Sequence, residues 1–453
     1  MDSTALVIAV TDRAGNILAL FRKPDAPATS VGNFSALVDT DELAVSLART
    51  ASFFSNDQAP LSSRTVRFIS GIHFPPGVSF TPNAALYGIE NTNRGCPFNT
   101  VFLPGQAAPP ARSVDGAAPG LGITTGKADL GDSDPTAVNP GGIPLFKNGK
   151  VVGGVGVAGV PPSVAEFAAF TGAVQSGFGP TPAAPGVVII DGIALPFADQ
   201  TTRPSGLSAG IATGTFLLGP LASPGPVPDG DLVAPQAGLV GGLTQEEVRT
   251  IIDQSVEIAN ETRAVIRLPV GSRARMVIAV ADLDGSLLGL HRMPDATVFS
   301  IDVAVAKARN VIYFSGPQRQ PADLPDVPMS TAVTNRTISF GAQPLYPPGI
   351  DGTSPGPFFG LYAFDTANPC TQGMQPPNPN QNGVVFFPGS VPLYKNGVLV
   401  GGLGVSGDGV EQDDFVSDGG ARGFEAPDTI RADQVIVRGV RLPYLKFPRN
   451  PTD

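Results

Sequence analysis

The chain holds only two histidines, His73 and His291, so imidazole chemistry has two places to stand. His291 opens the better cluster. His291-Arg292-Met293 sets an imidazole, a guanidinium and a thioether side by side; the first and third can bind iron and the second pairs with carboxylates. Ser406 lies in Gly-Val-Ser-Gly but has alanine, Ala158, at its repeated position, and a nucleophilic triad would need one of the two histidines. No His/Asp/Glu group has zinc-site spacing, and there is no Cys-x-x-Cys. Two glycine motifs, Gly154-x-Gly156-x-x-Gly159 and Gly402-x-Gly404-x-x-Gly407, match the dinucleotide pattern. That pattern works only when a strand turns on the glycines into a helix whose N-terminus meets the pyrophosphate. Here the glycines lie in the returning strand of an Asn-Gly hairpin, and Pro161-Pro162 follow the first copy. They read instead as places where a helix or backbone approaches a sheet closely.

The elements that position these residues are written twice. Val7–Ala26 (VIAVTDRAGNILALFRKPDA) returns as Val277–Ala296 (VIAVADLDGSLLGLHRMPDA), and Pro140–Val157 returns as Pro388–Val405. Between them Asp41–Ser55 matches Ile301–Ser315, and Arg64–Val78 matches Arg336–Ile350. A tandem duplication follows, in which each half is a control for the other. The repeat frame sets Phe21-Arg22-Lys23 against His291-Arg292-Met293, Leu47 against Lys307, and Leu345 against His73. Arginine is retained and both iron donors are gone from the first half.

Val277–Ala281 and Ser286–Leu290 alternate around Asp284-Gly285, which predicts a hairpin. Val391–Tyr394 and Val398–Val405 flank Asn396-Gly397, and the first half repeats this with Asn148-Gly149; Asn-Gly between apolar runs predicts a two-residue turn. Val303, Val305, Ala306, Ala308 and Val311 fall at helical spacing behind Asp302. Leu243–Asn260 carries a capping box at Thr244 and Glu247 and one apolar stripe through Val248, Ile251, Ile252 and Val256. This helix has no counterpart in the first half, which implies a truncated N-terminus or a covering helix borrowed from elsewhere. Val187–Phe197 and Gln434–Tyr444 predict a terminal strand for each half.

The 453 residues fit two domains: a first repeat at 1–198, a Pro/Gly-rich linker at 199–241 and a second repeat at 242–453. The net charge of −10 and the absence of any Lys/Arg run argue against nucleic acid and anionic membranes as partners. No apolar run is long enough to insert in a bilayer. Low lysine with abundant Pro, Thr and Asn suggests a periplasmic or secreted protein, although no signal-peptide core follows Met1. Cys96 and Cys370 stand one residue apart in the repeat frame. They form a disulfide if the halves pack about a pseudo-twofold axis, and are two separate buried thiols otherwise.

Taken together, the Leu243-Thr244-Gln245-Glu246 helix start, the Val277–Ala296 hairpin, the helix running from Ser300 through Lys307-Ala308 and the Val391–Gly407 hairpin resemble the GlcG/HbpS family of haem-binding proteins. The resemblance covers nearly all of the second half and most of the first. It implies an α/β (α+β) fold of two profilin-like domains, each a central antiparallel sheet with packed helices, arranged as a pseudo-dimer and capable of further oligomerisation. The doubled domain and long Pro/Gly loops depart from compact single-domain members.

It also implies haem, or a related tetrapyrrole, as ligand. Haem needs an axial donor and cations for its propionates. The candidates are His291 as iron ligand, with Arg292, Met293, Lys307, Arg22 and Tyr362 around the cofactor. Each has a plainer role: His291 a strand-end histidine, Lys307 a snorkelling lysine, Tyr362 a packed aromatic repeated from Tyr87, and Arg22 and Arg292 partners for Asp25 and Asp295. Three functions stay open: haem binding or sensing without turnover, an assembly module contacting a protein partner or a second copy, and an enzyme acting on a small molecule, for which no catalytic residue is nominated.

Overall fold

A computed structural model describes residues 5–32, 36–81, 85–100, 110–123, 140–180, 188–208 and 213–453; Val187 of the expected terminal strand lies outside them. The chain divides into two units. The first comprises Met1–Val78, Asn93–Gly95 and Pro109–Val227, and the second Ser79–Thr92, Cys96–Ala108 and Pro228–Asp453.

In the first unit β1 (Val7–Asp12) and β2 (Ile17–Arg22) form the expected hairpin. A small ribbon, β3 (Thr29–Val31) with β4 (Leu37–Asp39), leads into helix α1 (Thr40–Phe54), capped by the Asp39 carboxylate. Helix α2 (Ser63–Ile69) follows. The second hairpin, β5 (Gly142–Lys147) with β6 (Lys150–Ala158), precedes α3 (Pro162–Gln175), a two-strand ribbon β7 (Ile189–Ile190) with β8 (Ile193–Ala194), and β9 (Thr215–Leu218). The sheet is antiparallel with order β5-β6-β1-β2-β9. One face packs Val7, Ala9 and Leu20 against Leu43, Ala44 and Leu47 of α1; the other packs Val155 and Val157 against Ala165 and Ala169 of α3.

The second unit rebuilds this plan. It runs β10 (Gly230–Val233), α4 (Gln245–Glu261), β11 (Val277–Ala281), β12 (Leu287–Arg292), α5 (Phe299–Ser315), α6 (Asn335–Ala342) and α7 (Phe359–Ala367). Then come β13 (Ser390–Lys395), β14 (Val398–Ser406), α8 (Val410–Gly420) and a ribbon of β15 (Ile436–Val437) and β16 (Val440–Arg441). Its sheet order is β10-β12-β11-β14-β13, the same succession as in the first sheet. Registers agree residue for residue: Val7 faces Arg22 and Ala158, and Val277 faces Arg292 and Ser406, with the irregularity at Val10/Thr11 matched at Val280/Ala281.

Local chemistry explains the turns. Asn148-Gly149 and Asn396-Gly397 both take positive φ, at 52°, 74°, 51° and 78°, the two-residue hairpin turn that matches strand twist. In α4, Thr244 and Glu247 close the capping box reciprocally at 2.8 and 3.2 Å, which satisfies orphan amides of the first turn. The motif glycines also behave as expected. A Cβ at Gly156 would fall on the Ala44 carbonyl oxygen and one at Gly404 on that of Ala304, so α1 and α5 lie directly on their sheets.

Two expectations change. The predicted terminal strands do not join the sheets. Asp191-Gly192 and Arg438-Gly439 sit at positive φ in the middle of each run and fold it into the small β7–β8 and β15–β16 ribbons. Residues 199–241 supply an edge strand to each sheet, β9 to the first and β10 to the second.

The second unit also contains a piece of the first repeat, and there equivalent residues meet each other. Tyr87 packs on Tyr362 with ring centroids 5.2 Å apart, Asn91 Nδ2 donates to Thr366 Oγ1 at 3.1 Å, and Cys96 is disulfide-bonded to Cys370. The bond closes a loop of 274 residues, so it strongly restricts the unfolded chain. Replacing both cysteines by serine should cost about 2–4 kcal/mol. Guanidinium unfolding of wild type and variant checks this; identical midpoints would show that the crosslink adds nothing.

Candidate functional site

His291 sits near the end of β12, directly opposite Asp231 of β10. Its Nδ1 lies 2.7 Å from Asp231 Oδ1, and the imidazole retains 22% of its exposure. Between the two neutral tautomers, a carboxylate beside Nδ1 favours the one that donates from Nδ1 and leaves Nε2 as the nitrogen that could meet a metal. This is how proteins orient a histidine that binds a metal through its other nitrogen. The first unit has the same two register positions filled by Phe21 and Phe216, which pair across strands in edge contact at 5.1 Å. Donor and orienting carboxylate are therefore present together in one unit and replaced together in the other. Asp231 escaped the sequence reading because it lies in the Pro/Gly-rich stretch; its only signal is the faint echo of TFLLGP (215–220) in GDLVAP (230–235).

The other candidates do not converge on His291. The Arg292 guanidinium is buried and donates to the carbonyls of Ala296 and Pro228. Asp295 pairs with Arg267 at 2.6 Å. Arg22 pairs with Asp41 at 2.7 Å, rather than with Asp25, and also holds the carbonyls of Ala26 and Pro27. Met293 is buried, with its sulfur 3.4 Å from the Met276 amide. Tyr362 is packed among Tyr87, Phe359 and Phe386; burial raises its phenol well above the ordinary value, so it stays protonated. Met293 and Tyr362 thus belong to the core, and the two arginines hold turns through backbone carbonyls.

Lys307 has a different environment from either sequence reading. It is fully buried on α5, and its ammonium donates to the Val405 carbonyl at 2.8 Å and to Asp413 of α8 at 3.0 Å, with the Phe387 ring 4.9 Å away. An amine held this way is not available to a propionate. Beside it Arg336 pairs with Asp414, and Arg267 with Asp408. Burial is the largest influence on both partners: it lowers the Lys307 amine and raises the Asp413 carboxyl to about 7. In the first unit Lys307 becomes Leu47 and Asp413 becomes Ala165, both buried, while the Arg336–Asp414 pair persists as Arg64–Glu166 at 2.6 Å. No group of three or more His, Cys, Asp or Glu among the described residues is placed to hold a metal ion, and no helix among them is long and apolar enough to cross a membrane.

A five-stranded antiparallel sheet with helices on both faces is built twice, which makes this a duplicated α/β protein. Residues 243–422 match the sequence model of the family described as haem degrading protein HbpS-like, so the second repeat carries an HbpS-like domain. Among curated proteins the chain is 27% identical over 152 residues to the corrinoid adenosyltransferase PduO of Salmonella typhimurium, covering 34% of this chain and 33% of that one. It is also 27% identical over 157 residues to the PduO of Citrobacter freundii, covering 35% and 34%. The chain thus spans about a third of the length of these relatives. Similar solved structures include a PduOC–heme complex (21% identity, 40% of this chain and 94% of that one, TM-score 0.26) and Klebsiella pneumoniae protein ORFY (20%, 40% and 90%, 0.26). A double mutant of Streptomyces reticuli HbpS is similar at 17% identity, 45% and 97% coverage and a TM-score of 0.24. Scores at this level carry no argument about a ligand.

Proposed function

We propose that the chain binds haem or a related tetrapyrrole through its second unit, without catalytic turnover, and that His291 Nε2 is the axial donor. The observation that carries this is the Asp231 carboxylate on His291 Nδ1 at 2.7 Å. It fits the donor set a haem iron requires: a neutral imidazole whose tautomer and ring plane are fixed from behind. Bound haem would supply a redox-active iron with an axial position for this nitrogen. Asp231 would position the ring and strengthen its donor character, and partial exposure of His291 would let a macrocycle reach it. The HbpS-like match over residues 243–422 supports the reading. So does the corrinoid named for the PduO relatives, which is also a metal-centred macrocycle. The first unit, with Phe21 and Phe216, would not bind iron in this way. A disulfide suits an oxidising compartment, so the reading includes export to the periplasm or beyond.

Hemin titration followed at the Soret band tests this. Wild type should give a shifted, saturable band. His291→Ala should abolish it, and Asp231→Asn should weaken binding by about 10–100-fold. A band unchanged by His291→Ala would remove the ligand assignment. No band at all in the wild type would remove haem and leave the assembly role as the better reading.

A further inference from the structure

The cations expected from the sequence, Arg22, Arg292 and Lys307, are all engaged elsewhere, but the ground beside His291 holds another. His291 and Gly289 stand two residues apart on β12 and so share a face of the sheet. It is the α4 face, because a Cβ at Gly289 would meet Ile252 and Val248. On one side of α4 lies α8, over β13 and β14, where a Cβ at Gly420 would meet Ser255 and one at Gly419 would meet Ile258. The opposite flank of α4 therefore looks toward β10, Asp231 and His291. That flank carries Arg249, Asp253, Val256 and Asn260, at i, i+4, i+7 and i+11.

Arg275 reaches the same flank from the sheet. It stands three residues before Ile278, the residue opposite His291, which is about 10 Å along the strand direction at the ordinary rise. Strict alternation would send its side chain to the α5 face. However, β11 begins only at Val277, and the Arg275 guanidinium donates to Asn260 Oδ1 at 2.8 Å, so it lies at the end of α4. Its neighbours are committed: Arg267 pairs with Asp295 and Asp408, and Arg292 holds carbonyls. Arg275 is bonded to a neutral amide, and no carboxylate among the described residues pairs with it. The other sides of His291 are acidic, with Asp231 on β10 and Asp253 on α4. An acidic group on a ligand seated there is repelled by these two and drawn to Arg275.

We infer that Arg275 takes a carboxylate of the ligand seated at His291, so that the second unit selects a tetrapyrrole with acidic side chains over one with a neutral periphery. The inference rests on the haem reading. A guanidinium meets a carboxylate through two parallel hydrogen bonds. Asn260 engages Nη1 and steadies the fork while Nε and Nη2 stay available to the ligand. Arg249 is the internal control. It is exposed on the same flank, but Glu246 and Asp253 stand within one helical turn of it and offset its charge.

Hemin and hemin dimethyl ester, which lacks the free carboxylates, are titrated against the full chain at the Soret band. The proteins are wild type, Arg275→Gln and Arg249→Gln, with melts by circular dichroism to confirm folding. Wild type should prefer hemin to the ester by about tenfold or more. Arg275→Gln should weaken hemin by about the same factor, leave the ester unchanged and keep the Soret position, because His291 still meets the iron. Arg249→Gln should alter neither affinity. Equal affinity of wild type for the two compounds overturns the inference and leaves the haem reading standing. Equal losses for both compounds in Arg275→Gln would make the residue structural, and a matching loss in Arg249→Gln would reduce the effect to net charge; either overturns it. No shifted band with either compound would remove the haem reading itself, and this inference with it.

Discussion

Replacing Lys307 by leucine should destabilise the second unit by about 3–5 kcal/mol, and adding Asp413→Ala should recover the loss or exceed it. The single substitution strands a buried carboxylate. Asp413 is fully enclosed, its Oδ2 is held by Lys307 at 3.0 Å, and its Oδ1 has no hydrogen-bond partner. The double substitution copies the first unit, where Leu47 and Ala165 fill the same places. An apolar pair of this kind is commonly neutral or stabilising by about 1–4 kcal/mol relative to a buried ion pair. Urea unfolding, with exchange of α5 amides reporting on the second unit, gives the comparison. Equal losses in the single and double variants would show that the pair contributes more than mutual neutralisation.

The same pair sets a pH dependence. Burial holds the folded Asp413 carboxyl at about 7, against an ordinary value of 3.8. The folded state therefore keeps this proton when the unfolded chain has released it. The resulting stabilisation is complete below the unfolded value and is lost as pH rises through the folded one. Stability should fall between about pH 4 and pH 7 from this group, and Lys307→Leu/Asp413→Ala should flatten that limb. Asp408 and Asp414 are also raised by burial, so some slope should remain.

Gly404→Val should be damaging on a comparable scale, because its first added atom already meets backbone. A Cβ at Gly404 would land on the Ala304 carbonyl oxygen and 2.6 Å from the Ala308 amide nitrogen. A helix backbone cannot rotate away as a side chain can, so α5 must lift off β14 as a whole. We expect a loss of about 3 kcal/mol or more, at the upper end of overpacking costs. Gly360→Ala in α7, where an added Cβ meets nothing within 4 Å, should instead be neutral or gain up to about 1 kcal/mol from helix propensity. Thermal melts of the two variants make the test, and a mild Gly404→Val would mean that α5 is not held at that distance.

Much of the fold was legible because short-range chemistry wrote it. Asn-Gly at Asn148 and Asn396 fixed two hairpins, each confirmed by the other half, and Thr244 with Glu247 fixed the start of α4. The terminal runs were misread because Asp191-Gly192 and Arg438-Gly439, the same kind of turn signal, interrupt them after only a few residues. Strands β9 and β10 were hidden in a composition that suggests a linker. Edge strands need only a few residues and take their partners from another part of the chain, so no local period marks them.

The site divides along the same line. That His291 and Lys307 differ from their counterparts Phe21 and Leu47 is visible in the repeat frame. Their partners are not: Asp231 is 60 residues from His291 and Asp413 is 106 from Lys307. What the sequence determined alone is the duplicated domain, its hairpins, its capped helix and the positions where one half carries a polar residue and the other an apolar one. Only the tertiary structure decided which of those residues is an oriented donor and which a buried ion pair. Pairing across strands and helices depends on register and burial, which act over distances that a linear pattern does not record.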